Sequence, residues 1–237
     1  MPKFWGYVSN EEYAIGCTST TVYVYDKEGK ELAQLKNIKY GYTIQLSPKK
    51  NCFVVKSTGA CFGVYSLDTL SLLKTVRYSR VDGSQDDGYC FSIDGNYFYN
   101  IERQRKSTNH AISIYDASNF KRIKMFLEED EQIEPCYIEM DTDGQLYVLG
   151  FLRNENGIID SGFISKMGDT GLKALYTIPV SEYEEYVSLK SFELFGFTDK
   201  KKELFSWEYP DVDTSKIENT IFTLAQLWEQ YQSANES

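Results

Sequence analysis

The chain of 237 residues has one histidine, His110, and five cysteines, at positions 17, 52, 61, 90 and 136. Any Ser–His–Asp constellation would have to use His110. That residue closes a polar run, Glu102-Arg103-Gln104-Arg105-Lys106-Ser107-Thr108-Asn109-His110, read as a loop with no candidate orienting group near it. No G-x-S-x-G, G-x-x-x-x-G-K-[ST] or G-x-G-x-x-G occurs, so nucleophile-elbow and phosphate-cradling chemistries have no carrier. Zinc needs clustered Cys and His, and the cysteines form no C-x-x-C pair. Asp141-Thr142-Asp143-Gly144 opens like a calcium loop, but the later acidic ligands are missing and a turn between two strands explains it. Paired carboxylates for glycoside hydrolysis could come from Glu139 and Glu193, each in a segment read as a first strand. They stand at unequal offsets from the turns that follow them, so matching depth is not indicated. No catalytic residue, cofactor or metal is assigned.

Charge is more informative. Thirty-five acidic residues against 25 basic ones leave a net charge of −10, which argues against nucleic acid or an anionic membrane as partner. The acids cluster in three runs: Asp82, Asp86 and Asp87; Glu128, Glu129, Asp130, Glu131 and Glu134; Glu182, Glu184 and Glu185. Tyr78, Tyr89, Tyr137, Tyr183 and Tyr186 flank them, and Arg105 lies in the basic run before His110. Tyrosine offers rigid contact area with one polar tip, and carboxylates steer cationic groups. The expected partner is a basic protein or peptide met by Tyr78, Asp82, Asp86, Asp87, Tyr89, Arg105, Glu129, Asp130, Tyr137, Tyr183 and Tyr186. An inhibitor or immunity-type protein is one form of this reading. The other reading is a lectin-like or glycosidase-like protein whose aromatic rings stack on sugars.

The elements that would position these loops recur along the chain. A strand ending in Tyr, a polar turn and a returning strand appear at Thr21–Asp26 with Leu32–Leu35, at Phe62–Tyr65 with Leu72–Val76, and at Ile112–Asp116 with Ile123–Phe126. A blurred fourth copy runs from Gly162 through Gly168-Asp169-Thr170-Gly171 to Ile178. Before each lies another strand–turn–strand, with turns at Ser9–Glu12, Ser47–Lys50, Ser92–Gly95 and Asp141–Gly144, and a fifth at Thr198–Lys201. Four strands per unit of about 40–50 residues is a propeller period. Strands with apolar residues on both sides, such as Val22-Tyr23-Val24-Tyr25, need cover on both faces, which neighbouring blades would supply.

With Tyr25-Asp26, Tyr115-Asp116 and Ser92-Ile93-Asp94-Gly95 as its carriers, the chain resembles the β-propeller repeat proteins of the WD40-like and YVTN-like kind over residues 3–225. The Gly-His and Trp-Asp dipeptides of true WD40 repeats are absent. The resemblance implies an all-β propeller of about five four-stranded blades and a binding role. The expected units are about 3–36, 41–77, 88–127, 135–179 and 187–224, in one domain over 1–237. In such a ring the acidic runs share one face, and the turns with Lys49-Lys50 and Lys200-Lys201-Lys202 occupy the other.

After the last unit the period changes. Leu224, Leu227, Trp228 and Tyr231 fall at i, i+3, i+4 and i+7, and Thr223 with Gln226 makes a capping box, so a helix is expected over about 224–233. The N-terminus lacks a signal-peptide core, no window could span a bilayer and the cysteines read as reduced thiols, so a cytoplasmic monomer is expected.

Overall fold

The structure, a computed structural model, describes residues 4–49, 51–78, 88–103, 110–128, 130, 132–194 and 223–236. The described strands form four antiparallel sheets of four, each strand paired with the next in sequence. Sheet 1 holds β1 (Gly6–Ser9), β2 (Tyr13–Cys17), β3 (Val22–Asp26) and β4 (Glu31–Leu35). Sheet 2 holds β5 (Gly41–Leu46), β6 (Cys52–Ser57), β7 (Cys61–Ser66) and β8 (Ser71–Arg77). Sheet 3 holds β9 (Tyr89–Phe91), β10 (Tyr97–Arg103), β11 (His110–Asp116) and β12 (Lys121–Leu127). Sheet 4 holds β13 (Ile133–Met140), β14 (Leu146–Arg153), β15 (Ile159–Met167) and β16 (Leu172–Ile178). Two helices are described, α1 (Val180–Leu194) and α2 (Leu224–Glu236).

The Tyr that ends each third strand, followed by Asp or Ser, has a physical role at each place. Tyr25, Tyr65 and Tyr115 occupy one register position, opposite Ala14, Phe53 and Phe98, and all three are buried. The next residue caps the following turn. Asp26 Oδ1 accepts from the Glu28 and Lys30 N–H groups, Ser66 Oγ from Thr69 N–H, and Asp116 Oδ1 from Ser118 N–H. Asp141 does the same between β13 and β14, accepting from Asp143 and Gln145 N–H with Gly144 at φ +83°. That use of the carboxylate is the turn expected there.

The sheets fall into two compact units, sheets 1 and 2 in the first and sheets 3 and 4 in the second, with α1 up to Lys190 and α2 also in the second. In the first unit Ile15, Cys17, Val22, Val24 and Leu35 of sheet 1 pack against Ile44, Phe53, Val55 and Tyr65 of sheet 2. The opposite face of sheet 1 carries Tyr7, Ala14, Tyr23 and Tyr25, and Phe4 packs with them. In the second unit Ile138, Leu146, Val148 and Phe163 of sheet 4 meet Cys90, Ile101 and Ile112 of sheet 3. Both units join their sheets through the first strands. A Cβ on Gly6 would stand 2.7 Å from the Thr43 backbone, and one on Gly88 would stand 2.8 Å from Tyr137 Cα. Gly88 N–H also donates to Cys136 O at 2.6 Å.

The other face of sheet 4 corrects the expected fifth unit. Residues 187–194, read as the start of its first strand, belong to α1, and Glu193 is therefore helical. The anchor Thr198–Lys201 and residue 222 lie outside the described residues. Cys136, Tyr147, Leu149, Phe151, Ile164 and Ile178 pack against Tyr183 of α1 and Leu224, Leu227 and Trp228 of α2. Helices thus cover sheet 4 on the side away from sheet 3. The expected capping box is formed: Gln226 N–H donates to Thr223 Oγ1 at 3.2 Å, and Thr223 N–H to Gln226 Oε1 at 3.1 Å.

Glu139, on β13, ties both helices down. It accepts from Lys190 Nζ of α1 through Oε2 and from Leu224 N–H at the first turn of α2 through Oε1, the latter at 3.3 Å. A carboxylate at a helix N-terminus meets both an orphan donor and the positive end of the dipole. Tyr231 of α2 donates to Glu182 of α1, so the helices also hold each other. Among the described residues all five cysteines are buried thiols.

Sheet 3 carries a row of polar side chains inside. Asn100, Glu102 and Ser113 are fully buried. Glu102 was expected in a loop and is the sixth residue of β10. Its carboxyl accepts from Tyr115 Oη, from Asn100 Nδ2 at 3.2 Å and from Arg122 Nη1 at 3.4 Å. A bulge between Ile114 and Tyr115 shifts the register with β12. It lets Arg122 reach Glu102 while Lys124, two residues on, lies over the Phe126 ring.

Candidate functional site

At one edge of the second unit the start of β11 and the end of β14 meet the segment that joins β12 to β13. Glu128 N–H donates to His110 O and Arg153 N–H to Gln132 O, both at 2.8 Å. The segment between β12 and β13 is therefore held to the start of β11 at one end and to the end of β14 at the other. Asp130 is exposed, and its Oδ1 accepts from Gln132 N–H at 2.9 Å. Glu128 Oε1 accepts from Asp130 N–H at 3.2 Å. These two acids form a local turn whose side-chain oxygens organise the backbone.

Beneath the turn lies a constellation hidden in the sequence. His110 opens β11 with 2% of its side chain exposed. Its Nε2 stands 3.6 Å from Oε1 of Glu134, and the other oxygen of Glu134 accepts from Arg153 Nε at 2.8 Å. Arg153 also donates to Gly157 O at 2.7 Å and stacks over Phe151, 4.6 Å from the ring centre. His110 is thus a buried strand residue with a carboxylate partner, where a loop residue without one was expected. The arrangement links sheets 3 and 4 at their common edge.

A shallow, half-open depression adjoins it, with enclosed room for no more than a water or two, lined by His110, Ile112, Phe126, Glu128, Pro135, Met167, Gly171 and Leu172. Among the described residues that line it there is no Ser, Thr or Cys. Its walls are apolar, and Glu128 is the carboxylate among its lining residues. Of the two acids considered for glycoside hydrolysis, Glu139 holds Lys190 and Leu224, and Glu193 lies in α1.

The residues expected to contact a partner fall in three places. Asp82, Asp86, Asp87, Arg105 and Glu129 lie outside the described residues, as do Lys50 and Lys200 to Lys202. Asp130 stands exposed at the edge, and Tyr137 lies half-buried in β13. The remaining tyrosines serve the core more than a rim. Tyr89 is 1% exposed, its ring 5.5 Å from Phe98, and Tyr183 is 5% exposed, its ring 5.9 Å from Phe151. Tyr186 packs against the sheet 4 cluster, and Tyr78 lies 6.3 Å from Phe62. Tyr183, Tyr186, Glu182, Glu184 and Glu185 belong to α1, where a loop was expected. Three site features were missed: His110, Glu134 as its partner, and Arg153. All three stand within two residues of a strand end, where a polar run conceals the alternation.

No family model and no curated protein matches the chain. Among solved structures it is similar to a chain titled Kuenenia stuttgartiensis Hydrazine Synthase, with 13% identity and a TM-score of 0.57. The match covers 71% of this chain and 51% of that one, so it spans about half the neighbour's length. At that identity the likeness is one of fold. No described helix is long and apolar enough to cross a membrane.

Proposed function

We propose that the chain is a cytoplasmic binding module of WD40-like propeller architecture that takes a basic protein or peptide at the acidic edge of its second unit. Four consecutive up-and-down sheets, each with capped turns at repeated positions, support the propeller reading. So does the identical first-strand join in both units, since the first strand of a blade lies nearest the axis. An inhibitor or immunity-type role against a basic partner is the narrower form.

The observation that carries the binding reading is the pairing of exposed Asp130 and half-buried Glu128 with an apolar depression at the same edge. Carboxylates there attract a cation, and the apolar surface beside them adds contact area. Hexalysine is the probe, titrated by calorimetry against the wild-type chain, the Glu128→Gln/Asp130→Asn variant, and Glu11→Gln/Glu12→Gln, which removes equal charge at an exposed turn between β1 and β2. Binding is expected to weaken steeply with salt, as exposed charges are screened within about 8 Å at 0.15 M. The first variant is expected to weaken it more than the second. Equal weakening would show attraction by net charge alone and would remove the proposed face.

A further inference from the structure

We infer that the end of the first unit where β1 and β5 begin is a binding site for a linear saccharide that carries carboxylates, of the uronate class. It shares no residue with the acidic edge and does not depend on the binding reading above. Two large aromatic side chains are presented to solvent there, Trp5 at 55% exposure and Tyr40 at 61%. Each is fastened by its backbone to the end of β2. Trp5 N–H donates to Cys17 O at 2.8 Å, and Tyr40 N–H donates to Ser19 O at 2.5 Å. Carbonyls two residues apart are separated by at most about 7 Å, so the two aromatic residues are neighbours.

Tyr40 is held in a backbone conformation that its side chain disfavours. Its φ is +57°, in the left-handed region, where a bulky residue is an outlier. Thr58 N–H donates to Tyr40 O at 3.1 Å, and Ser57 Oγ donates to the preceding carbonyl, Lys39 O, at 2.6 Å. Together with the bond to Ser19, these contacts impose the strain. Phe120, also left-handed at φ +51°, is buried against Phe91 and Phe98, so packing offsets its strain. Tyr40 has no such return, because its ring lies mostly in solvent. Strain that is imposed without a packing gain concentrates at ligand sites.

The surroundings define the guest. An aromatic face is negative and meets the C–H face of a sugar ring, and two neighbouring faces suit successive sugars of one chain. Ser19 and Thr58 flank Tyr40, and their hydroxyls make no hydrogen bond among the described residues, which leaves them for sugar hydroxyls. Lys36 and Lys39 are exposed, and segments 17–22, 36–42 and 56–61 at this end hold no Asp or Glu in a chain with 35 of them. A carboxylate is therefore attracted here and meets no like charge. An acidic peptide would bring carboxylates without rigid apolar ring faces. Single-stranded nucleic acid would stack, but it brings a phosphate with every base, and two lysines do not offset its repulsion by a chain of net charge −10.

Tetragalacturonic acid is the probe, titrated by calorimetry, with maltotetraose, tetraglutamate and tetrathymidylate as comparisons. The wild-type chain is expected to bind tetragalacturonate, and to bind maltotetraose about fivefold more weakly, the worth of one exposed ion pair. Trp5→Ala and Tyr40→Gly are each expected to weaken the acidic sugar about tenfold, as truncating an aromatic anchor does, while Tyr40→Phe keeps the ring and the binding. Tyr40→Gly carries the sharper signature. Glycine adopts a positive φ without strain, so its urea midpoint is expected to equal or exceed that of wild type while binding is lost. No binding of tetragalacturonate to the wild-type chain, or equal binding of maltotetraose, would overturn the site. Tighter binding of tetraglutamate or tetrathymidylate would do the same, as would a Trp5→Ala or Tyr40→Gly variant that binds as well as wild type.

Discussion

Replacing Glu139 by alanine is expected to cost about 3 kcal/mol of stability, because the change strands a buried cation and uncaps a helix at once. Lys190 has 6% of its side chain exposed and faces Glu139, which is 25% exposed. The same carboxylate accepts from Leu224 N–H. The loss should fall unevenly. Amide exchange in α2, at Leu227 and Trp228, is expected to accelerate well before exchange in β6 or β7. Glu139→Gln keeps the acceptor for Leu224 and loses the charge for Lys190, so an intermediate urea midpoint is expected. The double change Glu139→Leu with Lys190→Met is expected to recover most of the stability, since an apolar pair of similar volume often matches a buried ion pair. An alanine variant as stable as wild type would show that the helices are held by Leu227, Trp228 and Tyr183 alone.

A second pair of substitutions deletes the same atom at equivalent places in the repeat, with opposite expected signs. Tyr115→Phe removes the hydroxyl that donates to Glu102, a carboxyl with no exposed side-chain surface. A hydrogen bond to such a group is worth about 1.5–3 kcal/mol, and the variant should lose roughly that much. Tyr65→Phe removes a buried hydroxyl that has no hydrogen-bond partner among the described residues. Relieving an unsatisfied buried group is expected to be neutral or to raise stability by about 1 kcal/mol. Burial is the leading cause that pushes both phenols up; charge on Glu102 adds to it for Tyr115, and neighbouring Cys17 and Cys61 for Tyr65. Both folded values therefore lie above the unfolded one. Their contribution is complete below about pH 10 and declines above it, where the unfolded chain's tyrosines ionise. Each phenylalanine variant should flatten that alkaline decline. Urea midpoints from pH 8 to 11 check both signs, and loss of stability in Tyr65→Phe equal to that in Tyr115→Phe would refute the comparison.

Most of the sheet structure was legible because its signals are local. A buried Tyr followed by an Asp or Ser that caps a turn marks the third strand of sheets 1, 2 and 3. The α2 helix was legible for the same reason, with its capping box and its Leu224, Leu227 and Trp228 stripe in one short window. Helix α1 was missed although Tyr183, Tyr186, Val187 and Lys190 stand at i, i+3, i+4 and i+7. The stripe ends in a lysine, and Lys190 is buried through a carboxylate 51 residues away in sequence, so hydropathy gave it no weight. The site failed for a related reason. Glu102 and His110 look like two ends of one solvated loop until β10 and β11 are paired, Glu102 opposite Ala111 and Arg103 opposite His110. Their partners, Tyr115 and Glu134, are settled only when the bulged β11–β12 register and the edge of sheet 4 are in place.

The burial of every cysteine gives the molecule a built-in gauge of its own breathing. Cys17, Cys52 and Cys61 belong to the first unit, while Cys90 and Cys136 belong to the second. A reagent that alkylates only accessible thiolates can modify these sulfurs only after the surrounding sheet has parted. The order in which they are consumed would therefore time the loosening of the two halves separately, with no label added to the chain.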